Sequence, residues 1–316
     1  MNLIANRGVT SLTGLTDLKP AERRVLDAGV PGVADLRELP DAGFAGEWES
    51  IVLADGMKEH LLRAVVAGVR LRPAVPFPEL PLHGVLLLTG PPGVGKTTLA
   101  RGLADKVART VCGPKPWVFA EIDPHELASS FLGRSQRGVS QLFGSVLQEH
   151  AAAGPLIVLF DEVETVFTDR RALSLEANPV DVHRAVDAAL VGLDQLARRH
   201  RDVLIIATSN YPVAIDPALA SRADNIFEVP LPGIGARRLI LQRTIEAVAA
   251  AFPGARRLLD PATLDAAARD AEGLDGRRLR KSVAAACAVS PAGRGDPGEV
   301  SADDLLAAIR RMGGQL

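Results

Sequence analysis

The chain has 316 residues, and its 36 Lys and Arg against 38 Asp and Glu give a formal net charge of −2 at pH 7. This balance argues against a dedicated nucleic-acid binder, which usually carries a strong basic excess, so we expect no nucleic-acid partner. Cys112 and Cys287 lie far apart, and neither they nor the six histidines show metal-ligand spacing. We find no N-terminal apolar segment and no apolar run of membrane-spanning length. We therefore expect a soluble, cytoplasmic protein with no membrane partner.

The first 45 residues contain two short segments of helical character, residues 20–28 and 33–39, separated by turn signals. We predict a small helical N-terminal appendage over residues 1–45, in which no pattern indicates chemistry. Apolar residues then recur at helical spacing over residues 48–71, and this predicts a helix that covers the core.

Residues 84–89 form an unbroken apolar run, typical of a parallel strand covered on both faces. A full match to G-x-x-x-x-G-K-[ST] follows, and residues 99–108 are helix-prone. Glycines in such a loop let backbone N–H groups and the helix N-terminus surround a phosphate. Without these flanks the motif could be a plain glycine-rich turn. With them, it predicts a nucleoside-triphosphate site formed by Gly90, Pro91, Pro92, Gly93, Val94, Gly95, Lys96, Thr97 and Thr98.

Residues 117–122 predict the next strand, and residues 135–152 predict an amphipathic helix. The segment between them contains Phe131 and Leu132, two apolar residues between serines and a glycine where a loop should be polar. The residues by themselves favour Phe131 folding back into the core, with an exposed functional pair as the alternative.

A buried strand over residues 156–160 ends in Asp161 and Glu162. Beside the glycine loop, Lys96 could reach the outer phosphates, while Thr97 and Asp161 could hold Mg²⁺. Glu162 could then orient and deprotonate the attacking water. Two acids at a strand end are a weak signal alone. Paired with the glycine loop they predict ATP hydrolysis with Mg²⁺ as cofactor.

A helix over residues 184–196 and a third buried strand, which ends at Ser209-Asn210, follow next. Asp216-Pro217 predicts the start of a short helix, and residues 225–229 predict an edge strand.

Beyond residue 230 the pattern is helical throughout, with segments over residues 236–252, 261–272, 275–289 and 301–312. Strands that alternate with helices, followed by helices alone, predict an α/β fold with a parallel sheet and a helical lid. We place the large nucleotide-binding domain over residues 46–230 and the small all-helical lid domain over residues 231–316.

Together these motifs resemble those of the AAA+ P-loop ATPases, over residues 46–316. The resemblance implies a five-stranded parallel sheet flanked by helices. Asp161-Glu162 resembles the Walker B pair, Asn210 resembles sensor 1, and Arg277 of the lid resembles sensor 2. By this resemblance, Asn210 and Arg277 both act at the γ-phosphate. Arg222 resembles the arginine finger, which acts on a neighbour's nucleotide and so implies a homo-oligomeric ring, by analogy a hexamer.

The resemblance narrows to the pachytene-checkpoint (thyroid-receptor-interacting) AAA+ ATPases, which remodel HORMA-domain proteins. It rests on Trp48-Glu-Ser-Ile-Val, Lys58-Glu-His-Leu-Leu, Asp161-Glu-Val-Glu-Thr, Asp194-Gln-Leu, Thr208-Ser-Asn, Ser221-Arg-Ala-Asp and Gly273-Leu-Asp-Gly-Arg-Arg-Leu-Arg-Lys. The second common finger position is Asn225 here, in keeping with the single arginine of this clade. Eukaryotic members carry a sizeable N-terminal adaptor-binding domain, whereas only residues 1–45 precede the ATPase here. This resembles the bacterial form, whose relatives accompany HORMA proteins in anti-phage operons.

In this family the Ser-Phe-Leu-Gly segment matches the first pore loop. The resemblance therefore implies that Phe131 and Leu132 face the ring axis and grip an unfolded peptide by apolar contact. The loop at residues 169–183 lies where the second pore loop is expected.

The leading hypothesis is an ATP-driven remodeller that threads part of a HORMA-type partner through a hexamer and disassembles its complexes. One alternative is a nucleic-acid motor or loader of the same superfamily. The acidic balance and the apolar first pore loop argue against it, because DNA-tracking loops usually carry Lys or Arg. A second alternative is a nucleotide-gated scaffold without turnover, against which Glu162 and Arg222 both argue.

Overall fold

A computed structural model of the chain describes residues 32–124, 135–169, 179–289 and 296–314. Its strands are β1 (Val33–Leu39), β2 (Val85–Thr89), β3 (Trp117–Ile122), β4 (Leu156–Phe160), β5 (Val203–Ser209) and β6 (Asn225–Glu228). Up to the last strand the helices are α1 (Ala42–Ser50), α2 (Met57–Ala74), α3 (Lys96–Thr110), α4 (Ser135–Gln141), α5 (Leu147–Ala153), α6 (Pro179–Arg199) and α7 (Pro217–Ala220), with a π-helical turn, Leu142–Val146, between α4 and α5. The helices after β6 are α8 (Ile234–Ala251), α9 (Pro261–Asp270), α10 (Gly276–Val289) and α11 (Ala302–Gly313).

The six strands form one sheet in the order β1-β3-β4-β5-β2-β6. Every pairing from β3 to β6 is parallel, so the predicted five-stranded parallel sheet is confirmed. The strands β2, β4 and β5 are buried along their whole length. Their continuous apolar runs are what a sheet covered by helices on both faces requires.

The sixth strand corrects one prediction. Residues 33–39 were expected to be helical, but β1 pairs antiparallel with β3, with Leu36 opposite Ala120. A register shift between Val33 and Asp35 lets Val33 and Leu36 pack on one face of the sheet, while Leu39 packs on the other. Burial at every third residue thus comes from a bulged strand covered on both faces, and it imitates helical spacing.

The predicted helix over residues 48–71 is two helices, α1 and α2, because the chain is irregular from Ile51 to Gly56. Gly56 is the residue before α2 and has a φ of 78°. The predicted helix over residues 20–28 lies outside the described residues.

A close contact between α1 and α3 supports a stability prediction. A methyl group added at Gly102 of α3 would lie 2.6 Å from Trp48 Cα, whereas one added at Gly68 of α2 would meet no atom within 4 Å. We expect Gly102→Ala to lower the free energy of unfolding by about 1–3 kcal/mol through overpacking. Gly68→Ala should instead raise it by up to about 1 kcal/mol through helix propensity. Urea denaturation of both variants checks this, and equal shifts would contradict it.

The helices α8 to α11 pack around an apolar core of their own, which includes Leu241, Ile245 and Leu279. Two of these helices begin at a side-chain cap. Asp260 accepts a hydrogen bond from Thr263 N, and Ser301 with Asp304 forms a capping box. The limits of the three proposed domains remain predictions. Among the described residues, the helices are too short or too polar to span a bilayer.

Candidate active site

Three neighbouring strands carry Lys96, Glu162 and Asn210 to one edge of the sheet. β5 lies between β4 and β2, and all three run parallel. The glycine loop follows β2, Asp161 and Glu162 follow β4, and Asn210 follows β5. Since the carboxyl ends of parallel strands meet at the same edge, these segments converge. They line a cleft of about 530 Å³ together with Arg277 of the lid.

The glycine loop ends at α3, whose first residue is Lys96. Gly95 precedes it with a φ of 95°, a left-handed conformation that glycine adopts without steric penalty. The Lys96 side chain is buried, and Nζ donates to Gly90 O at 2.9 Å, to Pro91 O at 2.9 Å and to Asn210 Oδ1 at 2.6 Å. Burial lowers its pKa, against the opposing effect of three nearby carboxylates. The ammonium is therefore held at the mouth of the loop, where an incoming phosphate would compete for it.

Asp161 forms the centre of a hydroxyl cluster. Thr97 Oγ1 donates to Asp161 Oδ1 at 2.8 Å, and Thr208 Oγ1 donates to the same oxygen. Thr208 Oγ1 in turn accepts a hydrogen bond from Glu162 N at 3.2 Å. The carboxylate and hydroxyl oxygens of Asp161 and Thr97 are ligands that suit Mg²⁺. The residues present therefore fit the cation that the sequence predicts.

Glu162 has an unusual backbone conformation. Its φ of 50° is the sole positive φ outside glycine in the described part of the chain. Such a conformation costs roughly 1–3 kcal/mol and is often found at functional sites. Glu162 Oε1 accepts a hydrogen bond from Asn210 Nδ2 at 3.2 Å. The strained backbone thus directs the predicted base toward the predicted sensor residue.

Asn210 connects three charged groups. Its amide oxygen accepts from Lys96, its amide nitrogen donates to Glu162, and its backbone N–H donates to Glu164 Oε1 at 3.1 Å. A single amide therefore bridges the lysine predicted to bind phosphate and the predicted base. An anion that displaces the Asn210 amide from Lys96 would therefore change the hydrogen bonding of both Lys96 and Glu162.

The lid closes the cleft at the start of α10. Arg277 N donates to Gly93 O at 3.3 Å, and Asp275 Oδ1 accepts from Arg277 N at 2.8 Å. A methyl group at Gly93, whose φ is 82°, would lie 2.4 Å from Asp275 Oδ1. The lid thus packs directly on the glycine loop, and the exposed Arg277 side chain lines the cleft.

Two lid arginines also donate hydrogen bonds to the C-terminal end of α1. Arg243 Nη1 donates to Glu49 O at 2.9 Å, and Arg280 Nη2 donates to Ser50 O at 3.0 Å. Both carbonyls lie at the C-terminal end of α1, where cations are favoured by the helix dipole. Ser50 itself lines the cleft. The lid therefore contacts the cleft at two places, the glycine loop and the end of α1.

Residues 86–231 match the family model described as ATPase family associated with various cellular activities (AAA). The chain is 48% identical over 286 residues to CD-NTase-associated protein 6 of Pseudomonas aeruginosa. This match covers 90% of this chain and 94% of that protein. It is also 32% identical over 275 residues to a pachytene checkpoint protein 2 homolog of Arabidopsis thaliana, covering 77% of this chain and 59% of that protein. The chain belongs to the pachytene-checkpoint family of AAA ATPases.

A solved structure agrees in fold with this pachytene-checkpoint ATPase. A chain in the structure of the HORMA:CdnC:Trip13 complex of E. coli MS115-1 matches with a TM-score of 0.71 and 17% sequence identity. The match covers 89% of this chain and 95% of that one. This match confirms the predicted AAA+ fold, and the identity to the Pseudomonas relative confirms the predicted family.

The predicted site residues of the ATPase fall into three groups. Those brought together at the cleft include Lys96, Thr97, Asp161, Glu162, Asn210 and Arg277. Arg222 is not among the residues that line this cleft, and its guanidinium pairs with Asp194 instead. Phe131 and Leu132 lie outside the described residues, as does most of the predicted second pore loop.

Sequence reasoning missed the supporting roles of Thr208 and Glu164. Thr208 bonds both Walker B residues, and Glu164 holds the backbone of Asn210. Both residues stand within quoted motifs, Thr208-Ser-Asn and Asp161-Glu-Val-Glu-Thr. Their position two residues from a predicted catalytic residue was the available signal.

Proposed function

We propose that this chain hydrolyses ATP at an interface between subunits of a ring and uses the energy to remodel a HORMA-domain protein. The observation that carries the proposal is the joining of Lys96, Asn210 and Glu162 by hydrogen bonds at the mouth of the glycine loop. A phosphate-binding cation, a polarising amide and a carboxylate base are the groups that γ-phosphate hydrolysis needs.

Each group has a distinct task in the proposed reaction. Lys96 neutralises the outer phosphates, and Thr97 with Asp161 would hold Mg²⁺, which screens the phosphate charge. Glu162 accepts a proton from the attacking water, and Asn210 orients that water or the γ-phosphate. Arg277 approaches the same phosphate from the lid, where it lines the cleft.

Arg222 supplies the remaining charge from a neighbouring subunit in this proposal. The residue follows α7 near the edge strand β6 and is absent from the lining of its own cleft. A guanidinium that cannot serve its own nucleotide can stabilise the transition state in a neighbour's site. This arrangement calls for a ring, which we propose to be a hexamer.

The substrate proposal rests on relatives. The structure that shares the fold contains a HORMA protein beside Trip13, and the Pseudomonas relative is named as associated with a CD-NTase. We assign this chain a HORMA-domain partner in the same setting, with a role in anti-phage defence. Phe131 and Leu132 would grip the threaded segment.

The test combines turnover with complex disassembly. The unmodified chain should hydrolyse ATP in the presence of Mg²⁺. It should also release a HORMA-domain protein from a preformed complex with a labelled peptide, and a fall in the fluorescence anisotropy of that peptide measures the release. Lys96→Ala should do neither, because its loop loses the phosphate-binding cation. Turnover without release would contradict the remodelling role, and DNA-stimulated turnover would favour a nucleic-acid motor instead.

A further inference from the structure

The guanidinium of Arg222 is bound on all three of its nitrogens within its own subunit. Nε donates to Asp194 Oδ1 at 2.7 Å, and Nη2 donates to Asp194 Oδ2 at 2.8 Å. Nη1 donates to Ala218 O at 2.8 Å. The carboxylate is thus engaged through both oxygens, the geometry that fixes the plane of a guanidinium most firmly.

These contacts orient Arg222 without exhausting it. A guanidinium carries two N–H groups on each terminal nitrogen and one on Nε. One N–H on Nη1 and one on Nη2 therefore remain for another acceptor. The Arg222 side chain is 24% exposed and that of Asp194 is 29% exposed, so the pair lies at the surface. A phosphate outside the subunit could accept these bonds while Asp194 keeps its own.

Asp194 is itself held from a second side. His83 Nε2 lies 3.4 Å from Asp194 Oδ1, and the His83 ring packs edge-on against Phe77 with centroids 5.2 Å apart. The backbone N–H of His83 donates to Asp224 Oδ1 at 2.9 Å. The carboxylate therefore lies between an arginine and a histidine that is anchored just before β2.

The hydrogen bonds between Arg222 and Asp194 also favour the ionised form of both side chains. The hydrogen bond from Arg222 lowers the pKa of Asp194, and the same bond raises the pKa of Arg222. Both groups stay ionised, so that Asp194 remains an acceptor for Arg222. The pair also links two elements, since Asp194 belongs to α6 and Arg222 follows α7.

We propose that Asp194 is a positioning residue, which fixes the orientation of the Arg222 guanidinium so that it enters the neighbouring subunit's ATP site correctly aligned. The inference rests on the proposed function, because it assumes that Arg222 acts on a neighbour's nucleotide. Asp194 is not among the residues that line the cleft of its own subunit, and in this proposal it does not contact the neighbour's nucleotide. Its effect must therefore pass entirely through Arg222.

The first test is Asp194→Asn, which keeps the shape but removes the charge and one of the two acceptor oxygens. We expect kcat for ATP hydrolysis to fall about 10- to 100-fold, the effect of losing one charge-assisted hydrogen bond. The dissociation constant of a fluorescent ATP analogue should stay unchanged, because the variant's own cleft is intact. Asp194→Glu keeps the charge and should retain more turnover than Asp194→Asn.

A double-mutant cycle separates positioning from a structural role. In the Arg222→Ala background, the residual rate of ATP hydrolysis is measured in single turnovers with enzyme in excess, and Asp194→Asn should lower it no further, since the residue through which it acts is gone. The matched control is Asp265→Asn, which breaks an Arg–Asp pair of the same 2.7 Å length in the lid and should leave turnover unchanged.

The outcomes distinguish this inference from the proposed function. In a chain that hydrolyses ATP, unchanged or increased turnover by Asp194→Asn overturns the inference alone. Additive losses in the double mutant, or weaker nucleotide binding by Asp194→Asn, also overturn it. An unmodified chain that fails to hydrolyse ATP overturns the proposed function, and the inference with it.

Discussion

Glu162→Gln is expected to slow ATP hydrolysis about 10²–10⁴-fold while ATP remains bound, because glutamine keeps the shape of the side chain but cannot accept the proton of water. The structure makes this variant informative. Glu162 Oε1 accepts a hydrogen bond from Asn210 Nδ2, and the amide oxygen of glutamine can accept the same bond. Lys96 and Asp161 keep their contacts, so the phosphate site should be preserved. Single-turnover phosphate release, together with the affinity for a fluorescent ATP analogue, measures the two effects separately.

The matched control for this variant is Glu149→Gln, which removes an exposed carboxylate from α5. It should leave both turnover and affinity unchanged. If Glu162→Gln turned over ATP as fast as the unmodified chain, Glu162 could not be the base. If it lost ATP affinity instead, Glu162 would be assigned to binding and not to proton transfer.

Much of this site could be predicted from the sequence because its parts are local. The glycine loop, Asp161-Glu162 and Asn210 each follow a strand whose apolar run is unmistakable, and β3 was predicted with its observed bounds. Parallel strands bring their carboxyl ends to one edge, so predicting the strands amounts to predicting the cleft. The pairing of Thr97 with Asp161 was predicted in this way, whereas the hydrogen bond from Thr208 to the same carboxylate was not.

What the sequence did not reveal depends on contacts between distant residues. The sequence of β1 indicates a helix because its apolar residues recur at every third position, whereas in the structure they belong to a bulged strand that is buried on both faces. The pairing of Arg222 with Asp194 spans 28 residues and two elements, and no periodicity encodes it. Side-chain pairs of this kind form only when the tertiary fold brings the two elements together, so local sequence patterns do not predict them.

Arg222→Ala is expected to abolish steady-state ATP hydrolysis, with a loss of about 10³-fold or more, while ATP binding and folding are retained. Folding should survive because the Arg222–Asp194 pair is partly exposed, and such pairs contribute only about 0–1 kcal/mol. Binding should survive because Arg222 does not line the cleft of its own subunit. Steady-state phosphate release and the thermal unfolding midpoint of the same preparation measure both expectations.

Mixing subunits decides whether the arginine acts on a neighbour. Lys96→Ala subunits have a defective nucleotide site but an intact Arg222, and Arg222→Ala subunits have the reverse. In a mixed ring, Lys96→Ala subunits can supply Arg222 to the intact sites of their neighbours, so turnover should reappear where neither variant alone has any. Recovery should rise with the fraction of mixed interfaces. Native mass spectrometry should first demonstrate that mixed rings form. If turnover does not recover in those rings, Arg222 acts within its own subunit, because an arginine that acts on a neighbour would have been supplied by the Lys96→Ala subunits.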